Sequence, residues 1–427
     1  MTIHVVQPGE TLDAIAAQYG VSPSLTQQLN ALPNPDNLVP GQTVVILTPA
    51  ETYTVQPGDS LLSVAQTFGV SVDQLWRNNP FLGGLSTLTP GQTLVIAFDD
   101  VPQGTLSVIG YAYPFIDRAV LRQTLPYLTY LTVFTYGFEP DGTLVTIDDD
   151  EVVALAREYN VAPLMLISTL TPGGTFSNEL ASAVLNNPVA QEALINNILD
   201  VLRAKQYAGL DVDFEYILPA DRAAFADFVQ TLSDRLNAEG FVVFIALAPK
   251  TSDDQPGLLY EAHDYGALGA AANYALLMTY EWGYTYGPPM AVAPFDKVTE
   301  VLDYALTRIP AEKLLLGIPN YGYDWTLPFV RGESQARALS NVAAVEQAAQ
   351  VGAAIQFDPV AQAPFYTYTD PQGREHIVWF EDARSIRAKL ELAGGNDLNG
   401  VGYWNVMRYF PQNWLVLNAL FTLRQVL

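Results

Sequence analysis

Two periods of apolar residues divide the chain. In the first hundred residues the apolar positions Leu12, Ile15, Ala16 and Tyr19 fall at helical spacing, with Thr11 before them as a candidate cap. The same pattern returns at Leu61 behind Ser60. The segments themselves repeat. "VVQPGETLDAIAAQYGVS" (5–22) matches "TVQPGDSLLSVAQTFGVS" (54–71), and "LVPGQTVVI" (38–46) matches "LTPGQTLVI" (88–96). Each copy predicts a short strand, a Pro-Gly turn, two short helices and a closing strand. The copies are bounded as 1–49 and 50–99.

After a linker near "DDVPQG" the pattern changes. Near-continuous apolar runs alternate with amphipathic stretches such as "RAAFADFVQTLSDRLNAEG" (222–240). Eight runs read as strands: 106–113, 128–138, 162–168, 209–216, 241–249, 274–280, 313–322 and 400–407. Apolar strands separated by helices imply a parallel sheet covered on both faces. Eight of them in 104–427 predict an α/β fold of the (β/α)8 TIM-barrel type, with its site at the C-terminal strand ends. A doubly wound sheet is the alternative. The stretch between strands seven and eight is too long for one helix. It holds "FYTYTDPQGREHIVWFED" (365–382), which reads as a hairpin turning at Asp370–Gly373. A small α+β insertion at about 326–382 is expected there.

One run breaks the apolar rule. In "GLDVDFEYI" (209–217), Asp211, Asp213 and Glu215 alternate with Leu210, Val212, Phe214 and Tyr216. A strand's period of two puts the three acids on one face. Same-face neighbours lie roughly 6.6 Å apart at Cα, so ionising all three in a confined site is costly. At least one proton should be retained near neutral pH, shared among a coupled set. A carboxylic acid kept protonated there is what a general acid requires. Glu215, outermost, is the candidate donor, with Asp213 and Asp211 tuning it. A divalent metal site and a purely structural network are the rival readings. Carboxylates from one strand would need metal ligands from elsewhere, and no histidine is near in sequence, so no metal and no cofactor are expected. His263 and His376 read as structural or surface residues.

Composition narrows the partners. The 45 acidic residues against 20 basic ones give a net charge of −25, spread along the chain. Nucleic acids and anionic membrane surfaces call for a basic face, so neither is expected. With 49% hydrophobic and 11% aromatic residues, the chain can build a large core; with no cysteine, disulfide and thiolate chemistry are excluded. No apolar run approaches a membrane span, and "MTIHVVQPGE" shows no secretory signal. A monomer is expected.

The repeats in 3–98 resemble LysM modules, βααβ units that bind glycans containing N-acetylglucosamine. That resemblance implies contacts in two loops of each module: Gly9, Glu10, Thr11, Leu12 and Asn30 in the first, and Gly58, Asp59, Ser60, Leu61 and Asn79 in the second. "AGLDVDFEY" resembles the D-G-x-D-x-D-x-E signature of glycoside hydrolase family 18, with Ala208 where the first Asp stands. "LLMTYEW" (276–282), "GIPNYGYDW" (317–325) and "GVGYWNV" (400–406) resemble that family's segments on strands six, seven and eight. LysM pairs joined to such a barrel resemble the bacterial spore cortex-lytic N-acetylglucosaminidases.

The resemblance implies a peptidoglycan hydrolase associated with the spore or cell wall, with a chitinase or a non-hydrolytic lectin as alternatives. It also implies substrate assistance, in which the sugar's own acetamido oxygen attacks the anomeric carbon. Glu215 would protonate the leaving oxygen, Asp213 would accept the acetamido N–H, and Asp211 would support Asp213. Tyr280 would bind the acetamido oxygen, and Trp404 would floor the sugar site. Tyr111, Glu281, Trp282, Tyr321 and Trp325 are expected sugar contacts at strand ends.

Overall fold

The computed structural model describes residues 1–171 and 174–427. Each repeat folds as anticipated. The first pairs Thr2–Val5 with Thr43–Ile46 in an antiparallel sheet and packs helices Leu12–Tyr19 and Pro23–Asn30 on it. The second pairs Pro49–Thr54 with Thr93–Phe98 around helices Leu61–Phe68 and Val72–Asn78. Thr11 and Ser60 cap the first helices through their hydroxyls, and Gly20 and Gly69 end them in the left-handed region.

Eight parallel strands close a barrel. They are β1 (Gly104–Ala112), β2 (Tyr130–Phe138), β3 (Ala162–Ser168), β4 (Gly209–Asp213), β5 (Val242–Leu247), β6 (Tyr274–Leu277), β7 (Leu314–Pro319) and β8 (Gly400–Trp404). Consecutive strands pair in parallel, and β8 pairs with β1 to complete the ring. This is the (β/α)8 barrel rather than the doubly wound alternative. The period of two sorts the side chains. Ile109, Leu164, Leu166, Phe244, Leu276 and Leu315 fill the barrel interior. Leu210, Val212 and Phe214 point outward against Phe225, Phe228 and other helix residues.

Four strands end three residues short of expectation, at Asp213, Leu277, Pro319 and Trp404. The predicted strand 209–216 ends at Asp213, and Tyr216 takes a positive φ of 58°. Glu215 therefore stands in the turn just past β4. The predicted strand 313–322 ends at Pro319. The insertion's five-stranded sheet already begins at Gly322–Thr326 and runs to Glu375–Trp379, with helix Asn341–Val351 packed beside it. A Cβ at Gly322 would meet the Trp379 carbonyl oxygen at 2.3 Å, so the chain crosses into the insertion at a residue without a side chain.

The repeats are docked on the barrel rather than hung from it. Gln412 exchanges hydrogen bonds with Thr43, donating to its carbonyl at 2.6 Å and accepting from its hydroxyl at 2.7 Å. The Arg77 guanidinium donates to the Pro126 carbonyl, the Arg77 carbonyl accepts from the Tyr127 hydroxyl, and Trp76 packs on Tyr159 with ring centroids 4.9 Å apart. The linker is held too, since Gln103 N–H donates to the Leu420 carbonyl. No helix among the described residues is long and apolar enough to cross a membrane.

Candidate active site

The acidic stripe of β4 opens into a cleft of about 460 Å³ at the C-terminal end of the barrel. Asp213, Glu215, Tyr280, Glu281, Trp282, Trp404 and Tyr111 all line it. Each element delivers its residue by stopping early. β4 ends at Asp213, β6 at Leu277 and β8 at Trp404, so the motif residues that follow turn over the mouth. Phe214 anchors the β4 turn. Its ring is buried outside the barrel and its carbonyl faces Nε2 of the fully buried His263 at 3.1 Å. His263 is thus structural, as expected, and burial lowers its pKa to about 4.

The acids are graded by depth. Asp211 is fully buried and accepts a hydrogen bond from Tyr111 at 2.7 Å. Burial raises its pKa to about 6, with the Tyr111 hydrogen bond opposing. Asp213 is raised well above the usual carboxylate range by burial, then by the charges of Glu215 and Asp211. Glu215, at the mouth, is raised to about 7 by burial and then by Glu281. One oxygen each of Asp211 and Asp213 has no partner within the protein. Among the described residues no cluster of His, Asp and Glu is arranged to hold a metal ion.

Aromatic rings wall the cleft. Trp404 lies 5.8 Å from Tyr111, 5.1 Å from Phe134 and 6.2 Å from Tyr113, centroid to centroid. Tyr280 is nearly buried, and its hydroxyl is held neutral by burial and by the surrounding carboxylates. Tyr113, Phe134, Met278 and Tyr260 also line the cleft. Sequence reasoning missed these four, although Tyr113 stands two residues beyond Tyr111, just past the end of β1.

Trp325 and Tyr321 are corrected as sugar contacts, whereas Tyr111 and Glu281 do line the cleft. Trp325 is buried within the insertion and donates Nε1–H to the Gly287 carbonyl at 2.9 Å, so it offers no face to a sugar. Tyr321 does not line the cleft; its hydroxyl donates to the Glu281 carboxylate, as does that of Tyr323. Tyr111 lines the cleft, but its hydroxyl is committed to Asp211. Glu281 itself has a positive φ of 65°. Its carboxylate accepts from two tyrosines, and the residue stays exposed in the cleft lining.

The LysM loops divide in the same way. Leu12 and Leu61 belong to the small hydrophobic cores. Asn30 and Asn79 are buried clamps: each side chain both donates to and accepts from one backbone group, Val45 and Val95 respectively. These four side chains build the modules and do not face solvent. Glu10 and Asp59 accept the N–H of Gln7 and Gln56, which shapes the turn. Thr11 and Ser60 are exposed caps, and Gly9 and Gly58 have open space around them.

A (β/α)8 barrel with an acidic β4 stripe, a glutamate at its mouth whose pKa burial raises to about 7, and an aromatic floor defines a class: the glycoside hydrolases that use one strand of carboxylates. The comparisons agree. Glycosyl hydrolases family 18 matches residues 108–408, and the LysM domain matches 4–47 and 53–97. The chain belongs to glycosyl hydrolase family 18 and is a glycoside hydrolase carrying two LysM domains. It is 41% identical to the cortical fragment-lytic enzyme of Bacillus subtilis (strain 168), over 99% of this chain and 98% of that protein. The crystal structure of the Bacillus megaterium QM B1551 spore cortex-lytic enzyme SleL superposes with a TM-score of 0.85 at 38% identity, covering 100% of this chain and 99% of that one. A chitinase from Chromobacterium violaceum ATCC 12472 matches at a TM-score of 0.69 and 26% identity, covering 74% of this chain and 98% of its own.

Proposed function

We propose that this protein hydrolyses spore-cortex peptidoglycan at the β-1,4 bond following N-acetylglucosamine, with net retention and with the substrate's acetamido group as nucleophile. The observation that carries this is the stripe itself. The three carboxylates rise along one strand and its turn, and only Glu215 stands at the mouth with its pKa near neutrality. The cleft's other acid, Glu281, accepts from Tyr321 and Tyr323 and is a poor conventional nucleophile. The nucleophile then belongs to the substrate.

In this reading Glu215 protonates the leaving oxygen and later takes a proton from water. Asp213, beside it, accepts the acetamido N–H and steadies the positive charge of the oxazolinium ring. Asp211, oriented by Tyr111, keeps negative charge beneath Asp213. Tyr280 donates to the acetamido oxygen. Trp404 and its neighbouring rings bind the apolar face of the sugar. The LysM modules, fixed to the barrel, bind glycan through exposed loop residues such as Gly9, Thr11, Gly58 and Ser60. Cortical action is supported by the whole-length likeness to cortical fragment-lytic enzymes, and spore or cell-wall association follows from it.

A chitin strand offers the same acetamido group, so cortex and chitin oligosaccharides should be given in parallel. Mass spectrometry of the products is expected to show cleavage of cortex fragments in preference. Proton NMR of the first-formed anomer tests the mechanism. The β-anomer is expected; the α-anomer appearing first would mean direct displacement by water and would overturn the substrate-assisted reading.

A further inference from the structure

A second cleft lies between the first LysM module and the insertion. Its walls are the loop after helix Pro23–Asn30 of the first LysM module, helix Asn341–Val351 of the insertion, and the segment Phe380–Asp382. It has room for about 80 Å³, space for a small group rather than a whole sugar. No residue of it lines the catalytic cleft.

Most of the lining is apolar. Leu32 and Leu38 face it from the module, and Val342, Val345, Ala349 and Ile355 from the insertion. Of its polar lining residues, Asn341 and Glu381 are the most deeply buried, each about 1% exposed. They are neighbours: the side-chain carbonyl oxygen of Asn341 accepts from Glu381 N–H at 2.9 Å. Lys389 takes the Glu381 Oε2 oxygen at 2.9 Å. What remains is one donor, Asn341 Nδ2, and one acceptor, Glu381 Oε1, and neither has a partner within the protein. Buried polar groups are ordinarily paired, so two such atoms on adjacent residues of one cleft call for a ligand.

The second LysM module shows that this cleft is not a by-product of the repeat. There the corresponding loop is pressed on the barrel. Tyr159 donates to the Gly84 carbonyl at 2.6 Å, and a Cβ at Gly84 would meet the Arg122 carbonyl oxygen at 2.1 Å. The second module leaves space at a different face, between its helix Val72–Asn78 and residues 418–423 of the barrel, and not at this loop. The close approach is made elsewhere, at Gly41, where a Cβ would overlap the Ile355 carbonyl oxygen at 1.8 Å. The equivalent Gly91 has nothing within 4 Å.

We infer that the junction of the first LysM module with the insertion is a composite binding site for the N-acetyl arm of a glycan, with Asn341 donating to the acetamido carbonyl, Glu381 accepting its N–H and the aliphatic walls taking its methyl. A secondary amide ending in a methyl needs one donor, one acceptor and an apolar pocket. The choice of occupant rests on the function proposed above; the cleft does not. Such a site would hold a strand in fixed relation to the catalytic barrel, because both of its walls are anchored.

The test uses the full chain carrying Glu215→Gln, which binds without cleaving. Calorimetry with an N-acetylglucosamine tetrasaccharide and with its de-N-acetylated counterpart is compared before and after Ala349→Trp, which fills the cleft. Val345→Tyr, at another incompletely buried position on the same helix, serves as a second filling variant, and melting curves verify folding. The expected result is loss of an acetamido-dependent binding event by about tenfold or more, the scale of losing hydrogen bonds to a charged group. In the otherwise wild-type enzyme, Ala349→Trp should leave kcat on a soluble short substrate unchanged. Isotherms unaltered by both filling variants would overturn the inference and mean that water satisfies the two groups. If the wild-type enzyme cleaves no N-acetylated glycan at all, it is the proposed function that fails, and the binding comparison still decides the cleft.

Discussion

The barrel mouth and the insertion both bury carboxylates, and they treat them in opposite ways. At the mouth, Asp211 and Asp213 are buried with no cation beside them, and each keeps an oxygen unpartnered. In the insertion, Asp324 accepts from Arg337, Gln347, Tyr368 and His376, and the His376 ring also faces Asp370, which pairs with Arg374. The pKa directions follow. Burial raises Asp211 to about 6 and Glu215 to about 7. For Asp324 and Asp370 burial also acts upward, but the hydrogen bonds prevail; both fall below the usual value, Asp370 to about 2. A buried acid that is fully paired holds a fold together. Acids left uncompensated cost stability and are retained for chemistry.

The largest expected effect is at the mouth. Glu215→Gln keeps the shape but removes the proton, so kcat should drop about 10²–10⁴-fold with the circular dichroism unchanged. A variant retaining more than about a tenth of the activity could not have lost its general acid. Next comes the insertion. Asp324→Ala leaves His376 and Tyr368 without their shared acceptor and should destabilise the protein by about 2–4 kcal/mol in urea unfolding, with the chemistry on soluble substrate spared at low denaturant. No change in midpoint would mean that the cluster is not structural.

The pH dependence of stability sharpens the contrast. Asp211 and Glu215 have folded pKa values above their unfolded ones. Their stabilising contribution is complete below about pH 4 and is lost as pH rises through 6 to 7. Asp213→Asn should therefore raise the melting temperature at pH 8 and have little effect at pH 4. Asp324 and Asp370 run the other way. Their contribution is present above about pH 4 and lost as pH falls toward 2, so Asp324→Asn should lose stability at pH 7 and less of it in acid. Parallel pH series by calorimetry check both, and like-signed trends would break the comparison.

The smallest effect concerns tuning. The charge of Glu281 contributes to the raised pKa of Glu215, after burial. Glu281→Gln should lower that pKa, so the alkaline fall of kcat/KM moves to lower pH while activity persists in acid. A pH profile that keeps its alkaline limb would show that Glu281 serves binding rather than the proton.

Local pattern alone determined a good deal of this protein. The β4 alternation, the eight apolar runs and the paired repeats are periodic signals carried by neighbouring residues. The barrel, the LysM units and the stripe of Asp211, Asp213 and Glu215 were therefore legible in the amino-acid order. Other features depend on contacts between residues distant in the chain. The strand's early end at Asp213 goes with the left-handed backbone of Tyr216 and with His263, whose ring nitrogen faces the Phe214 carbonyl. The tyrosine clamp on Glu281 reaches across from the start of the insertion. Trp325 and Asn30 carry side chains fit for sugar, yet packing turns both inward, to Gly287 and Val45. Sequence spacing states which face of an element a residue occupies. Only the tertiary structure decides what that face meets, because burial and hydrogen-bond pairing are properties of the neighbours that folding brings together.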